Sequence, residues 1–184
     1  MRFALSPSVA ADALLLAYAV IHLTRPHKTP VLARGADRGA TMILIGCYAL
    51  GLAVLNTSAL PALFLSRRMQ WGGIGLQSLG LLLLGWSVAT MKRCRRASGE
   101  RAEWPFGSGP YRHIRHPAYL GSLLVWSGAI AASGNAIALV SIVLAMLAAY
   151  ATRIAHEEQL LRRTVGASYE AYCQRSWRLI PFLY

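Results

Sequence analysis

The sequence predicts an all-α integral membrane protein of about five transmembrane helices, with spans four and five forming a tight helical hairpin and a short cytosolic helix near the C-terminus. Three observations predict it. Hydrophobic residues make up 55% of the 184 positions and charged ones only 14%, with a mean hydropathy of +0.42, too apolar for an ordinary soluble domain. The apolar residues fall in runs of membrane-spanning length. The basic residues behind the net charge of +12 gather at the ends of those runs. They form no separate basic face, which argues against nucleic acid as a partner. Cys47, Cys94 and Cys173 are widely spaced and make no CxxC pair, so neither a disulfide framework nor a zinc site is expected.

Each span can be read in turn. The first runs over about residues 5–23, interrupted by Asp12 and His22. A cleaved signal peptide is the alternative, but it would carry a single arginine and lacks a clear small-residue cleavage site. The second covers about residues 40–65, with Pro61 near its end, and the third about residues 71–91. Residues 118–155 form one apolar stretch of 38 residues, which as a straight helix would reach roughly 57 Å against a hydrocarbon core of about 30 Å. It must turn back, and Ser133-Gly134-Asn135 is the one cluster of breakers within it. With five spans, 3 of the 19 basic residues (Arg2, Arg67, Arg68) fall on one side and 16 on the other. That asymmetry predicts an outside N-terminus and a cytosolic C-terminus. The whole chain, 1–184, is expected to be one domain, with three spans in 1–91 and the site-bearing part in 92–184.

Two constellations carry chemistry. The first is the segment 109–121, where Tyr111, Arg112, Arg115, His116, Pro117, Tyr119 and Gly121 crowd the start of span four. Ionisable groups at a membrane edge are costly unless they snorkel or bind something. Pro117 suits the first helical turn and pushes His116 towards an extended conformation at the N-cap. Free backbone N–H groups there, with Arg112 and Arg115, make an anion site. Gly121, one turn in, would admit a ligand or a neighbouring helix. Interfacial anchoring is the bland account of the same residues.

The second constellation is Glu157-Glu158, in a chain with only 7 acidic residues. At about 100° per residue, Leu147, Tyr150, Ala151, Ile154, Glu158, Leu161 and Val165 share one stripe. A carboxylate on that stripe needs a partner such as an ammonium, a ribose or an arginine. Glu157 lies to its side and could pair with Arg153 at i−4. Gly166 then ends the helix, and Tyr169, Tyr172 and Arg175 follow at steps of three. The arrangement of charges puts both constellations on the cytosolic side, where they can meet.

The ordered set Gly-x-Tyr-x-x-x-Arg-His-Pro-x-Tyr-x-Gly (109–121), Glu157-Glu158, Tyr-x-x-Tyr-x-x-Arg (169–175) and Ile180-Pro181 resembles the isoprenylcysteine carboxyl methyltransferase family. The resemblance implies a membrane enzyme using S-adenosylmethionine, its cofactor enclosed by the arginine-histidine-proline segment, the paired glutamates and the tail. Tyrosine faces (Tyr111, Tyr119, Tyr169, Tyr172) suit a sulfonium, which is a cation without hydrogen-bond donors. The helix start at His116 and Pro117 suits the methionine carboxylate, and Glu157 or Glu158 suits the amino group or ribose. A carboxylate acceptor would need only an orienting arginine, for which Arg175 and Arg115 are the candidates. A phenol or amine acceptor would need a base. Rich alanine, arginine and glycine usage suggests a bacterial inner membrane, with a lipophilic small-molecule or lipid-linked acceptor entering from the bilayer among membrane lipids. Alternatives are a phospholipid or amine N-methyltransferase, an NADPH-dependent membrane enone or sterol reductase, and a non-enzymatic scaffold.

Overall fold

A computed structural model of the chain describes residues 6–23, 65–98 and 106–183, together with positions 46 and 49. The predicted second span, about 40–65, lies almost entirely outside the described residues. Among those described the protein is helical, with no strand beyond one isolated bridge. The helices are α1 (Pro7–Leu23), α2 (Arg67–Ser98), α3 (Pro117–Ser133), α4 (Ala136–Val165) and the short α5 (Ala167–Gln174). A 3-10 turn, Gly109–Arg112, precedes α3. The segments Arg67–Ala97 and Ala136–Val165 are each long and apolar enough to cross a membrane.

Helix α2 outruns the predicted third span at both ends. Its last turns carry Lys92, Arg93, Arg95 and Arg96, beyond the predicted end of the span near residue 91. The long side chains carry their charge beyond the apolar stretch without ending the helix, and Arg95 and Arg96 in the final turn complement the negative helix end.

Helix α3 is the centre of the fold. It is buried nearly all round, from Gly121 to Ala132, because α1, α2 and α4 all pack on it. Against α2 the approach is set by glycines seven residues apart on each helix. A β-carbon added at Gly80 would come within 2.7 Å of Gly121 O and Val125 N, and one at Gly128 within 2.5 Å of Gln77 N and Gly73 O. The backbones themselves are therefore in contact, and no side chain larger than hydrogen fits. Because Gly73 meets Gly128 while Gly80 meets Gly121, α2 and α3 are antiparallel. Gln77 adds a cross-link from α2 to α1, donating to Ala11 O at 3.0 Å. On the far side, Leu79, Leu82 and Trp86 of α2 and Val140 and Leu144 of α4 are exposed, as faces turned to lipid would be.

Between α3 and α4 the chain turns over Gly134, at φ 87°, a conformation that glycine adopts without penalty. Asn135 caps α4 by accepting from the Ala138 N–H at 3.0 Å. Tyr119, near the start of α3, stacks on Tyr150 midway along α4 and bonds Glu157 about two turns further on, so these helices also run antiparallel. After Gly166, α5 folds under α4, and the tail returns to pair with the entrance to α3. Trp177 N–H donates to His113 O at 2.8 Å, Arg115 N–H to Trp177 O at 2.7 Å and His116 N–H to Arg178 O at 3.2 Å.

Replacing Gly128 by leucine should destabilise the protein by about 3 kcal/mol, since overpacking here acts on backbone rather than on a movable side chain. Gly75→Ala, where nothing lies within 4 Å, should be neutral or slightly stabilising. Thermal unfolding in detergent compares the two. Equal melting temperatures would disprove the glycine seam.

Candidate active site

The site is built where three chain segments converge: the start of α3, the last third of α4, and α5 with its tail. Pro117 occupies the first position of α3 and His116 is its N-cap, with φ −121° and ψ 54°, outside the helical region as a pre-proline residue should be. Both are buried. On α4, Tyr150, Ile154, Glu158 and Leu161 of the expected stripe are buried, while Ala151 and Val165 are exposed.

Glu158, 2% exposed, holds the segments together. Arg115 Nε donates to its Oε1 at 2.8 Å. Arg178 donates from Nε and Nη2 to its Oε2, each at 2.9 Å. His116 Nε2 lies 3.5 Å from Oε1. A buried carboxylate is tolerable only with such compensation. Two guanidinium groups against one carboxylate leave the cluster with an excess of positive charge.

Arg115 has a second task. Its Nη1 donates to Cys173 O at 3.1 Å and to Ser176 O and Oγ, neutralising the carbonyl end of α5. Its Nε and Nη1 are thus bound to protein, which sets it apart from an arginine free to orient an acceptor. Arg175 is exposed at the C-cap of α5. The step of three that places Tyr169 and Tyr172 on the buried side fails for it, because α5 ends at Gln174. The tail arginine that reaches Glu158 is Arg178, which sequence reasoning missed. Its one signal was its place beside Leu179, a core residue that fixes the tail.

The tyrosines divide into two groups. Tyr169 and Tyr172 pack with Phe106, at ring-centroid distances of 5.8 and 4.8 Å. The Tyr172 hydroxyl donates to Tyr111 O at 2.6 Å, tying α5 to the 3-10 turn that carries buried Tyr111. Burial pushes the phenols of Tyr169 and Tyr172 up, so both are neutral hydroxyls. Tyr119 instead faces α4. Its hydroxyl donates to Glu157 Oε2 and accepts from Arg153 Nε, both at 2.8 Å. Glu157, expected to pair with Arg153 at i−4, is buried and shares the Tyr119 hydroxyl with it. Gly121, expected to admit a ligand or a neighbouring helix, takes the backbone of Leu84 in α2. Arg112 is exposed and lies outside the cluster.

Two polar atoms around this cluster are buried without a hydrogen-bond partner: His116 Nε2 and the Tyr169 hydroxyl. Such orphans are costly and mark where an external group would be bound.

Comparison with known proteins agrees with the motif resemblance. Two rice proteins, from Oryza sativa subsp. indica and subsp. japonica, each named "Probable protein-S-isoprenylcysteine O-methyltransferase", are 35% identical over 75 residues. Each match covers 41% of this chain and 39% of the rice protein. The solved structure of the eukaryotic intramembrane Ras methyltransferase, isoprenylcysteine carboxyl methyltransferase, superposes with a TM-score of 0.62 at 17% identity. That match covers 99% of this chain and 70% of that one, so the fold is shared. Two of the described helices are also long and apolar enough to cross a membrane. The family model described as phospholipid methyltransferase matches residues 69–168, more than half of the chain and including α3 and both glutamates, and the chain belongs to that family.

Proposed function

We propose that this protein is a membrane methyltransferase that moves a methyl group from S-adenosylmethionine to a lipophilic acceptor, with a carboxylate oxygen the favoured acceptor atom. The observation that carries the reading is the convergence of His116, Arg115 and Arg178 on buried Glu158. The residues fit an amino-acid zwitterion. Glu158 suits its ammonium, and the surplus guanidinium charge with the unpartnered His116 Nε2 and Tyr169 hydroxyl suits its carboxylate. Tyr111, Tyr169 and Tyr172 supply aromatic faces for a sulfonium. Pro117 fixes the helix start that presents His116. When bound, S-adenosylmethionine supplies an electrophilic methyl group, and the protein's part is chiefly alignment and exclusion of water.

Arg115 and Glu158 brace the tail against α3 and α4. Arg178, 31% exposed at its side chain, stands between the cluster and solvent. Arg175, outside the cluster, serves the acceptor in this reading. A carboxylate acceptor needs orientation by a cation and no base. That fits a site whose carboxylates already hold arginine or tyrosine partners. The asymmetry of basic residues between the two sides of the predicted spans favours the cytosolic face for the site, with the acceptor arriving from the bilayer past the apolar sides of α2 and α4. The family model's name favours one other reading, transfer to a phospholipid amine, which would require a base such as His116 or a glutamate.

Calorimetric titration of the detergent-solubilised protein with S-adenosylhomocysteine and with NADPH tests the cofactor. Saturable binding of only the first is expected, and binding of NADPH alone would favour a reductase. Glu158→Gln and His116→Ala should each weaken S-adenosylhomocysteine binding at least about 30-fold, equivalent to about 2 kcal/mol. Wild-type affinity in both would remove them from the site. Arg175→Ala should leave that affinity within about twofold while lowering turnover tenfold or more, measured as tritiated-methyl transfer into a lipid extract. An unchanged rate would exclude it from the acceptor side. Base-labile methyl label in the product marks an ester; base-stable label marks an amine or phenol ether and overturns the carboxylate assignment.

A further inference from the structure

The two adjacent glutamates diverge. Successive residues point about 100° apart around a helix, and Glu158 turns to the tail while Glu157 turns to α3. There it accepts the Tyr119 hydroxyl, which Arg153 Nε holds from the other side. Arg153 and Glu157 are one turn apart on α4, so the phenol is clamped by a donor and an acceptor fixed on one rigid element. The Arg153 guanidinium also lies 5.9 Å from the Tyr119 ring centroid.

The ring so clamped is the middle of a three-ring stack. Tyr150, wholly buried, lies beneath it at 5.1 Å and 23°, and His116 lies above it at 5.6 Å and 13°. The His116 imidazole has no hydrogen bond at Nε2. Its distance of 3.5 Å from Glu158 Oε1 is longer than a well-formed hydrogen bond, and its side chain does not cap α3. What sets the plane of the imidazole is therefore the nearly parallel face of Tyr119.

We propose that Glu157 is a positioning residue rather than a cofactor ligand: through the Tyr119 hydroxyl it fixes the ring stack that holds the His116 imidazole facing Glu158. The proposal rests on the cofactor reading above and adds the division of labour between the two glutamates. Glu158 meets the ligand, and Glu157 acts on it at two removes. A hydroxyl at position 119 is then required even though it touches no reactant. Phenylalanine would keep the stack but free the ring to slide and turn.

A double-mutant analysis on the full chain in detergent separates the possibilities. Tyr119→Phe and Glu157→Gln are each expected to weaken S-adenosylhomocysteine binding by about five- to tenfold, and the double variant no more than the worse single. In a His116→Ala background, titrated to millimolar ligand, Glu157→Gln should change affinity less than twofold, because the ring it positions is gone. A ligand role for Glu157, or a general structural role, predicts a further loss of fivefold or more in that background, and either would overturn the proposal. Equally decisive against it is full affinity in both singles. Should Tyr119→Phe not purify folded, the near-isosteric Glu157→Gln in the two backgrounds gives the same decision. Failure of the underlying reading looks different: the wild-type protein would then show no saturable binding at all.

Discussion

The buried carboxylate of Glu158 is the constraint on which the rest of the site depends. A charge removed from water must be matched within a few ångströms, and here the matching groups come from two separate parts of the chain. Arg115 lies before α3, whereas Arg178 lies in the tail beyond α5. The carboxylate therefore does more than neutralise a neighbour. It closes a loop in space between the entrance to α3 and the C-terminal segment, and the backbone pairing of Arg115 and His116 with Trp177 and Arg178 holds both arginines in register on it.

That arrangement needs a rigid floor, which the glycine seam provides. Where Gly73 and Gly80 face Gly128 and Gly121, α2 and α3 approach to backbone contact, so the start of α3 has little freedom to slide. The α3–α4 turn at Gly134 then determines which level of α4 faces that start. The result brings Tyr150, Arg153, Glu157 and Glu158 opposite Tyr119 and His116. A site assembled on helices in this way is positioned by packing rather than by loop conformation.

Within the cluster the two glutamates have similar burial but different company. Glu158 is surrounded by cations and lies 3.5 Å from His116 Nε2, which has no hydrogen-bond partner. Glu157 is bonded to a phenol that is itself bonded to Arg153. A carboxylate with charge-bearing and unfilled neighbours is suited to an external ligand, whereas one engaged with a neutral hydroxyl is suited to orientation. The aromatic packing of Phe106, Tyr169 and Tyr172 lines the other side and joins the tail to the 3-10 turn.

The sequence by itself determined the membrane character, the helical class and the two constellations, because composition, run length and the 3.6-residue period are local properties. It also determined that His116-Pro117 begins a helix and that Gly166 ends one, since those follow from the conformational limits of proline and glycine at single positions. Only the tertiary structure decided which arginine of the tail reaches Glu158. Arg175 follows the tyrosine spacing, but α5 ends one residue before it, and Arg178 gains the contact because the tail pairs with the start of α3. The same holds for Gly121, whose small size served a helix neighbour, and for Glu157, which gains the Tyr119 hydroxyl from another helix. Contacts between segments far apart in the chain depend on how close the helices approach and at what level they face each other, and no local pattern encodes either.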